Sequence, residues 1–132
     1  MNDEEFLAAF EGCALEEFHH RDHVKVAYLY LRRYPLEEAI VKVRAGLQAL
    51  AVAWGAPTDE LEKGYHETVT QAWVRLVEVR LRDGGEAENA EAFCEREAQL
   101  MEKNCLELFY SRERLFTWTA KREYVEPDLG RF

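Results

Sequence analysis

Residues Phe18–Tyr34 read FHHRDHVKVAYLYLRRY, and this run decides the fold. At about 100° per residue, His20, Val24, Ala27, Tyr28 and Leu31 make one stripe. His23, Tyr30 and Tyr34 flank that stripe, while Arg21, Lys25 and Arg32 fall on the outer face. The pattern predicts an amphipathic helix from about Arg21 to Tyr34. Pro35 ends it, because it lacks an amide N–H, and pre-sets the first turn of the next helix.

The same periodicity continues outward on both sides. Asp3–Phe10 predicts a short helix with Phe6, Leu7 and Phe10 on one face, ended by Gly12. Leu15 and Phe18 are the apolar residues of the connector that follows. Ile40, Val43, Leu47, Leu50 and Trp54 recur at helical spacing and predict a helix over Leu36–Trp54, with Gly55 as its C-terminal cap. Thr58–Gly64 is a polar connector with one helical turn expected around Asp59–Glu62. His66, Val69, Thr70, Trp73, Val77 and Arg80 then stripe a helix from about Tyr65 to Arg82, stopped by Asp83-Gly84-Gly85. Asn89 caps a fifth helical region, Ala90–Leu108, with a break expected near Lys103–Asn104. Ser111 caps a last helix, Arg112 to about Arg122. Val125–Leu129 is an extended tail expected to pack back on the body. No strand pattern competes. The fold class read from the sequence is all-α: one domain over residues 1–132, an up-and-down bundle of about five helices.

Composition narrows the function classes. Lysine and arginine total 17 against 26 aspartates and glutamates, a net charge of −9. Such a surface repels phosphate backbones and acidic lipid, so nucleic acid and membrane are not expected partners. The cysteines, Cys13, Cys94 and Cys105, are odd in number and form no CxxC, which fits reduced thiols in a cytoplasmic protein. The N-terminal MNDEEFLAAF has neither the basic nor the apolar region of a signal peptide.

Short connections make consecutive helices antiparallel neighbours, so the starts of the second, fourth and last helices should share one end of the bundle. Those starts, HHRDH, YHET and FYSRE, hold all four histidines. Helical phase points His20, His23 and His66 inward and leaves His19 as a solvent-exposed bystander. Asp22 reads as a helix-start group.

Three chemistries fit that end. In the first, His20, His23 and His66 ligate one divalent transition metal (zinc, iron or nickel), with Glu67, Asp22 or Glu17 adding oxygen or orienting the rings. Complete metal signatures are absent. HETVT at His66–Thr70 lacks the second histidine of HExxH, and Glu17–His20 is a lone ExxH pair where a di-iron centre needs two. In the second, a metal-free pocket lined by Tyr28, Tyr65, Glu67, Trp73, Tyr110 and Arg112 takes a small organic molecule. In the third, the histidines are hydrogen-bonded core groups of a non-catalytic ligand-binding or protein-interaction module. A homodimer or partner surface is expected if Leu7, Val26 and Leu29 lie together in the open.

The segments FHHRDHVKVAYLYLRRYP, GYHETVTQAW and LFYSRERLFTWTAKREYVEPDL together resemble a family of small bacterial proteins of uncharacterised activity. Its members share a run like F-H-x-x-D-H-V-x-x-A-Y-x-Y-L, then Y-H-E-T-x-T, a Y-S-x-x-x-L segment and a terminal P-D-L. Matching residues are His20, Asp22, His23, Tyr28, Tyr65, His66, Glu67, Thr68, Thr70, Tyr110, Pro127 and Asp128. The resemblance spans roughly Phe18–Leu129 and implies an all-helical domain with no activity to transfer.

Overall fold

Burial of the second helix organises the molecule. In the computed structural model, which describes residues 1–132, the chain is all helical with no strand. Its α-helices are α1 (Asp3–Glu11), α2 (His20–Leu31), α3 (Leu36–Ala53), α4 (Glu67–Gly84), α5 (Ala90–Arg96), α6 (Arg112–Leu115) and α7 (Trp118–Arg122). The packing is that of an all-α bundle. α2 lies against α1, α3, α4 and α5, so it is covered on nearly every side. Val24, Val26, Ala27, Tyr28, Leu29 and Tyr30 are all buried. The stripe read from the sequence is therefore too narrow, and Val26 and Leu29 belong to the core. Leu7 is also buried, so these three form no exposed apolar patch.

Local chemistry sets the element ends. Asn2 and Glu5 close a capping box on α1: the Asn2 side chain accepts from the Glu5 amide and the Glu5 carboxylate from the Asn2 amide. Gly55, at φ +66°, takes the left-handed turn that releases the chain from α3. Asn89 and Ser111 cap α5 and α6 as their positions predict. The Asp59–Glu62 segment forms turns and bends rather than a helical turn.

Phe10 shows how tightly α1 is seated. Its ring is fully buried, stacks on Phe18 at 5.5 Å and lies over Gly46 of α3. A Cβ at Gly46 would come within 2.2 Å of the Phe10 ring. Burying a phenylalanine stabilises by about 1.5–3 kcal/mol, and here the contact depends on the missing Cβ.

Several boundaries differ from the sequence reading, and α2 already ends at Leu31 rather than Tyr34. The fifth region breaks at Glu97, earlier than Lys103–Asn104, and continues as 3-10 turns over Ala98–Met101 and Lys103–Leu108. Glu97 leaves helical geometry (φ −100°, ψ 53°), and its buried carboxylate is held by Arg80 at 2.7 Å and Arg96 at 2.8 Å. The last helix is split in two. Phe116 turns out of α6 at ψ 64°, and Thr117 caps α7 by accepting from the Ala120 amide. α4 begins at Glu67, which leaves His66 outside the helix as its N-cap. The C-terminal tail does pack back: Tyr110 donates to the Val125 carbonyl, and Asp128 accepts from the Ser111 amide and hydroxyl. No helix is long and apolar enough to cross a membrane.

Candidate functional site

The starts of α2 and α4 and the 110–116 segment do meet at one end of the bundle. What differs is how the histidines are used there. His19 is exposed, and its main-chain N–H is accepted by the Asp22 carboxylate at 2.9 Å, so Asp22 closes the first turn of α2. His20 packs its ring 4.3 Å from that of Trp73, and its Nε2 lies 2.7 Å from the Leu100 carbonyl oxygen. A carbonyl only accepts, so Nε2 carries the proton. Burial lowers the pKa of His20, only partly offset by that hydrogen bond.

His66 has both ring nitrogens committed. Nδ1 accepts from the Val69 amide at 3.1 Å and Nε2 donates to the Leu115 carbonyl at 2.9 Å. This pattern requires the neutral ring, protonated at Nε2. Burial lowers its pKa, in the same direction as the positive end of α4. The ring thus caps a helix and ties it to α6, a role that replaces the inward ligand expected from helical phase.

His23 is different. Its ring is partly buried, but Nε2 is fully enclosed and has no hydrogen-bond partner. Burial, reinforced by His20, pushes its pKa down to about 4. In this arrangement the three rings do not present the ligand set drawn from the sequence. A facial triad needs three free imidazole lone pairs aimed at one point. His66 has none free, the Nε2 of His20 faces a carbonyl, and no group of three or more His, Cys, Asp or Glu side chains is placed to hold a metal ion. The donor set does not fit zinc, iron or nickel as the sequence arranged them.

Glu67 also has a partner that the sequence did not reveal. Arg44 of α3 grips both its oxygens, at 2.6–3.1 Å, while Tyr65 donates at 2.7 Å and Gln71 at 2.6 Å. Burial alone would raise the Glu67 pKa; the bonds from Arg44, Gln71 and Tyr65 outweigh it and hold the carboxyl below its usual range. Burial and the bond to Glu67 raise the Tyr65 phenol. Arg44 sits four residues after Ile40, on the edge of the apolar stripe of α3, and that position was its one sequence signal. Arg80, on the stripe of α4, signals the buried Glu97 in the same way.

Two clefts flank His23. One, of about 360 Å³, lies between α2, α3 and α4 and is walled by Phe18, Leu47, Leu50, Trp54, Tyr65 and Val69 together with His23 and His66. The other, of about 310 Å³, is walled by His20, Trp73, Leu106, Tyr110, Arg112, Leu115 and Phe116. His23 and Val69 line both. Of the ligand residues expected from the sequence, Tyr65 reaches the first cleft, and Trp73, Tyr110 and Arg112 reach the second. Tyr28 reaches neither: it stacks on Phe93 at 4.4 Å, and its hydroxyl bonds the Ala87 main chain, because α2 turns that side toward α5. Glu67 opens on a third cleft with Lys121. Wider clefts of about 470 and 490 Å³ flank α1, and no histidine lines them.

Comparison with protein-family models, curated proteins and solved structures finds no match.

Proposed function

We propose that this chain is a non-catalytic small-molecule-binding protein whose ligand occupies the cleft between α2, α3 and α4. The supporting observation is His23, whose ring lines a largely apolar cleft and whose enclosed Nε2 has no hydrogen-bond partner. A buried polar atom without a partner costs about 1–3 kcal/mol, so a ligand whose entry uncovers the His23 ring and bonds its nitrogen gains what the free protein lacks. The ligand class is a mainly apolar, ring-sized molecule with one hydroxyl, a group that serves either tautomer of His23. Half-exposed Trp54 at the rim offers a stacking face and a fluorescent reporter.

The test compares 2-naphthol with naphthalene by amide NMR and Trp fluorescence. The reading expects 2-naphthol to shift the Val69 and Trp54 resonances and to bind about tenfold more tightly than naphthalene, the equivalent of about 1.4 kcal/mol. His23→Leu should abolish that difference. Equal affinity for the two compounds in the native protein, or unmoved resonances with both, rejects the reading. Elemental analysis of protein purified without a metal-affinity tag tests the metal alternative. The metal-free reading expects no stoichiometric zinc, iron or nickel, and a His20→Ala/His66→Ala variant would lose any metal that was specific.

A further inference from the structure

Lys121 is a buried cation without an anion. Its side chain is only 7% exposed, and its Nζ donates to the carbonyls of Lys63 at 2.5 Å and Tyr65 at 2.9 Å. Both partners are neutral, and Lys121 makes no ion pair. Buried charges in proteins are normally paired, because desolvating an ammonium costs several kcal/mol. In a chain with 26 acidic residues against 17 basic ones, an available carboxylate is not scarce. Burial lowers the Lys121 pKa, the direction expected when no anion compensates.

The ammonium lines a cleft of about 290 Å³ with Gln48, Thr58, Trp118 and Arg122. Arg122 also has no acidic partner; its guanidinium lies 5.3 Å from the ring of half-exposed Trp118. The one acid in the cleft, Glu67, has both oxygens already taken by Arg44, Tyr65 and Gln71. The charges that remain without a counter-ion are therefore both positive, and the Gln48 and Thr58 side chains stand at the opening without hydrogen bonds of their own.

We infer that this cleft is an anion site that takes the carboxylate of a small organic acid, its charge set against Lys121 and Arg122 and its body against Trp118. An ammonium has three donors, and two are used here, which leaves one for the incoming oxygen. The site shares only Tyr65 with the apolar cleft, and the inference does not rest on the reading of that cleft.

The experiment is a titration of the full chain with benzoate and with its neutral counterpart benzamide, followed by amide NMR. Benzoate is expected to shift the Tyr65, Trp118 and Lys121 resonances, benzamide to leave them in place, and 0.5 M NaCl to weaken the benzoate effect. Arg122→Gln, at an exposed position, should weaken benzoate binding about threefold to fivefold, the scale of one partly screened charge contact. Lys121→Met should abolish it where the variant folds. Resonances unmoved by benzoate, equal shifts with benzamide, or unchanged benzoate affinity in a folded Arg122→Gln protein overturns the assignment and leaves Lys121 as a tie between α7 and the 63–65 turn.

Discussion

Replacing His23 by leucine removes a group that the free protein holds at a cost, and the gain should grow in acid. At neutral pH the substitution deletes the enclosed Nε2, whose missing hydrogen bond costs about 1–3 kcal/mol. Leucine packs less well than an aromatic ring beside Phe18, 6.4 Å away between centroids, so the expected net gain is about 1 kcal/mol. The pH term is larger. His23 falls from 6.5 to about 4 in the folded protein, so the unfolded chain binds the proton first. Stability owed to neutral His23 is complete above pH 6.5 and drains away as the pH falls toward 4. At about 1.36 kcal/mol per unit, the full window carries about 3 kcal/mol, and about 2 kcal/mol of it is lost by pH 5. Urea denaturation followed by Trp fluorescence at pH 7.5, 6 and 5 measures this. His23→Leu should exceed the native protein by about 1 kcal/mol at pH 7.5 and about 3 kcal/mol at pH 5. A gap that stays constant with pH, or a variant less stable at pH 7.5, would refute the account of His23 as buried, neutral and unpartnered.

Other perturbations test the framework around it. Glu67→Gln leaves Arg44 without its carboxylate; with Arg44 about one-third exposed, the expected cost is about 2–3 kcal/mol in urea melts, and no change would mean that the pair is idle. His66→Ala removes the cap of α4 and should cost about 1–2 kcal/mol, with faster hydrogen exchange at the Val69 amide as its local signature. The native His66 Nδ1 resonance should begin to shift only at a lower pH than that of a free histidine, because protonation there would oppose the Val69 N–H. Gly46→Ala drives a methyl into the Phe10 ring and should cost about 1–3 kcal/mol, while Gly12→Ala, whose added Cβ meets only a carbonyl at 3.4 Å, should cost less.

Much of the fold was legible because apolar spacing is a direct readout of helices long enough to show a period. α1, α3 and α4 lie close to their expected spans, and the caps at Asn89 and Ser111 carry their own side-chain chemistry. α2 was found, but its inner residues were under-counted. A helix surrounded by neighbours has no outer stripe, and period alone does not distinguish that from a half-buried one. The break falls at Glu97, whose carboxylate meets Arg80 of α4 as well as the adjacent Arg96, and the first of these contacts is tertiary and invisible to spacing within the segment. The site divides in the same way. Sequence order brought the right helix starts together, and Asp22 and His19 took the places expected. His66 turns on two residues of helix boundary: inside the helix it would point into the bundle, whereas at the N-cap its ring folds over the first turn. Arg44 and Lys121 escaped because the partners that define them lie more than twenty residues away in the chain.

The way each histidine is neutralised bears on what the bundle end can select. His20 and His66 spend Nε2 protons on carbonyls at the ends of other segments, and both sit where a helix start disfavours the imidazolium. His23 is kept neutral by burial, reinforced by His20, with no hydrogen bond to help. Both histidines of the cleft between α2, α3 and α4 are thus biased toward the neutral form, against mainly apolar walls. Beside it, across Tyr65, the Lys121 cleft differs in charge, with Lys121 and Arg122 set among its lining beside the Trp118 ring. Tyr65 cannot serve both by moving, because its hydroxyl is held by the Glu67 carboxylate that Arg44 also grips. Two adjacent clefts with a fixed wall between them select by different physics. The first discriminates by burial and one hydrogen bond and should be insensitive to salt. The second discriminates by charge and should weaken as salt rises. A salt titration of 2-naphthol and of benzoate on the same protein separates the two, since binding of both compounds with one common salt slope would mean that a single site accounts for them.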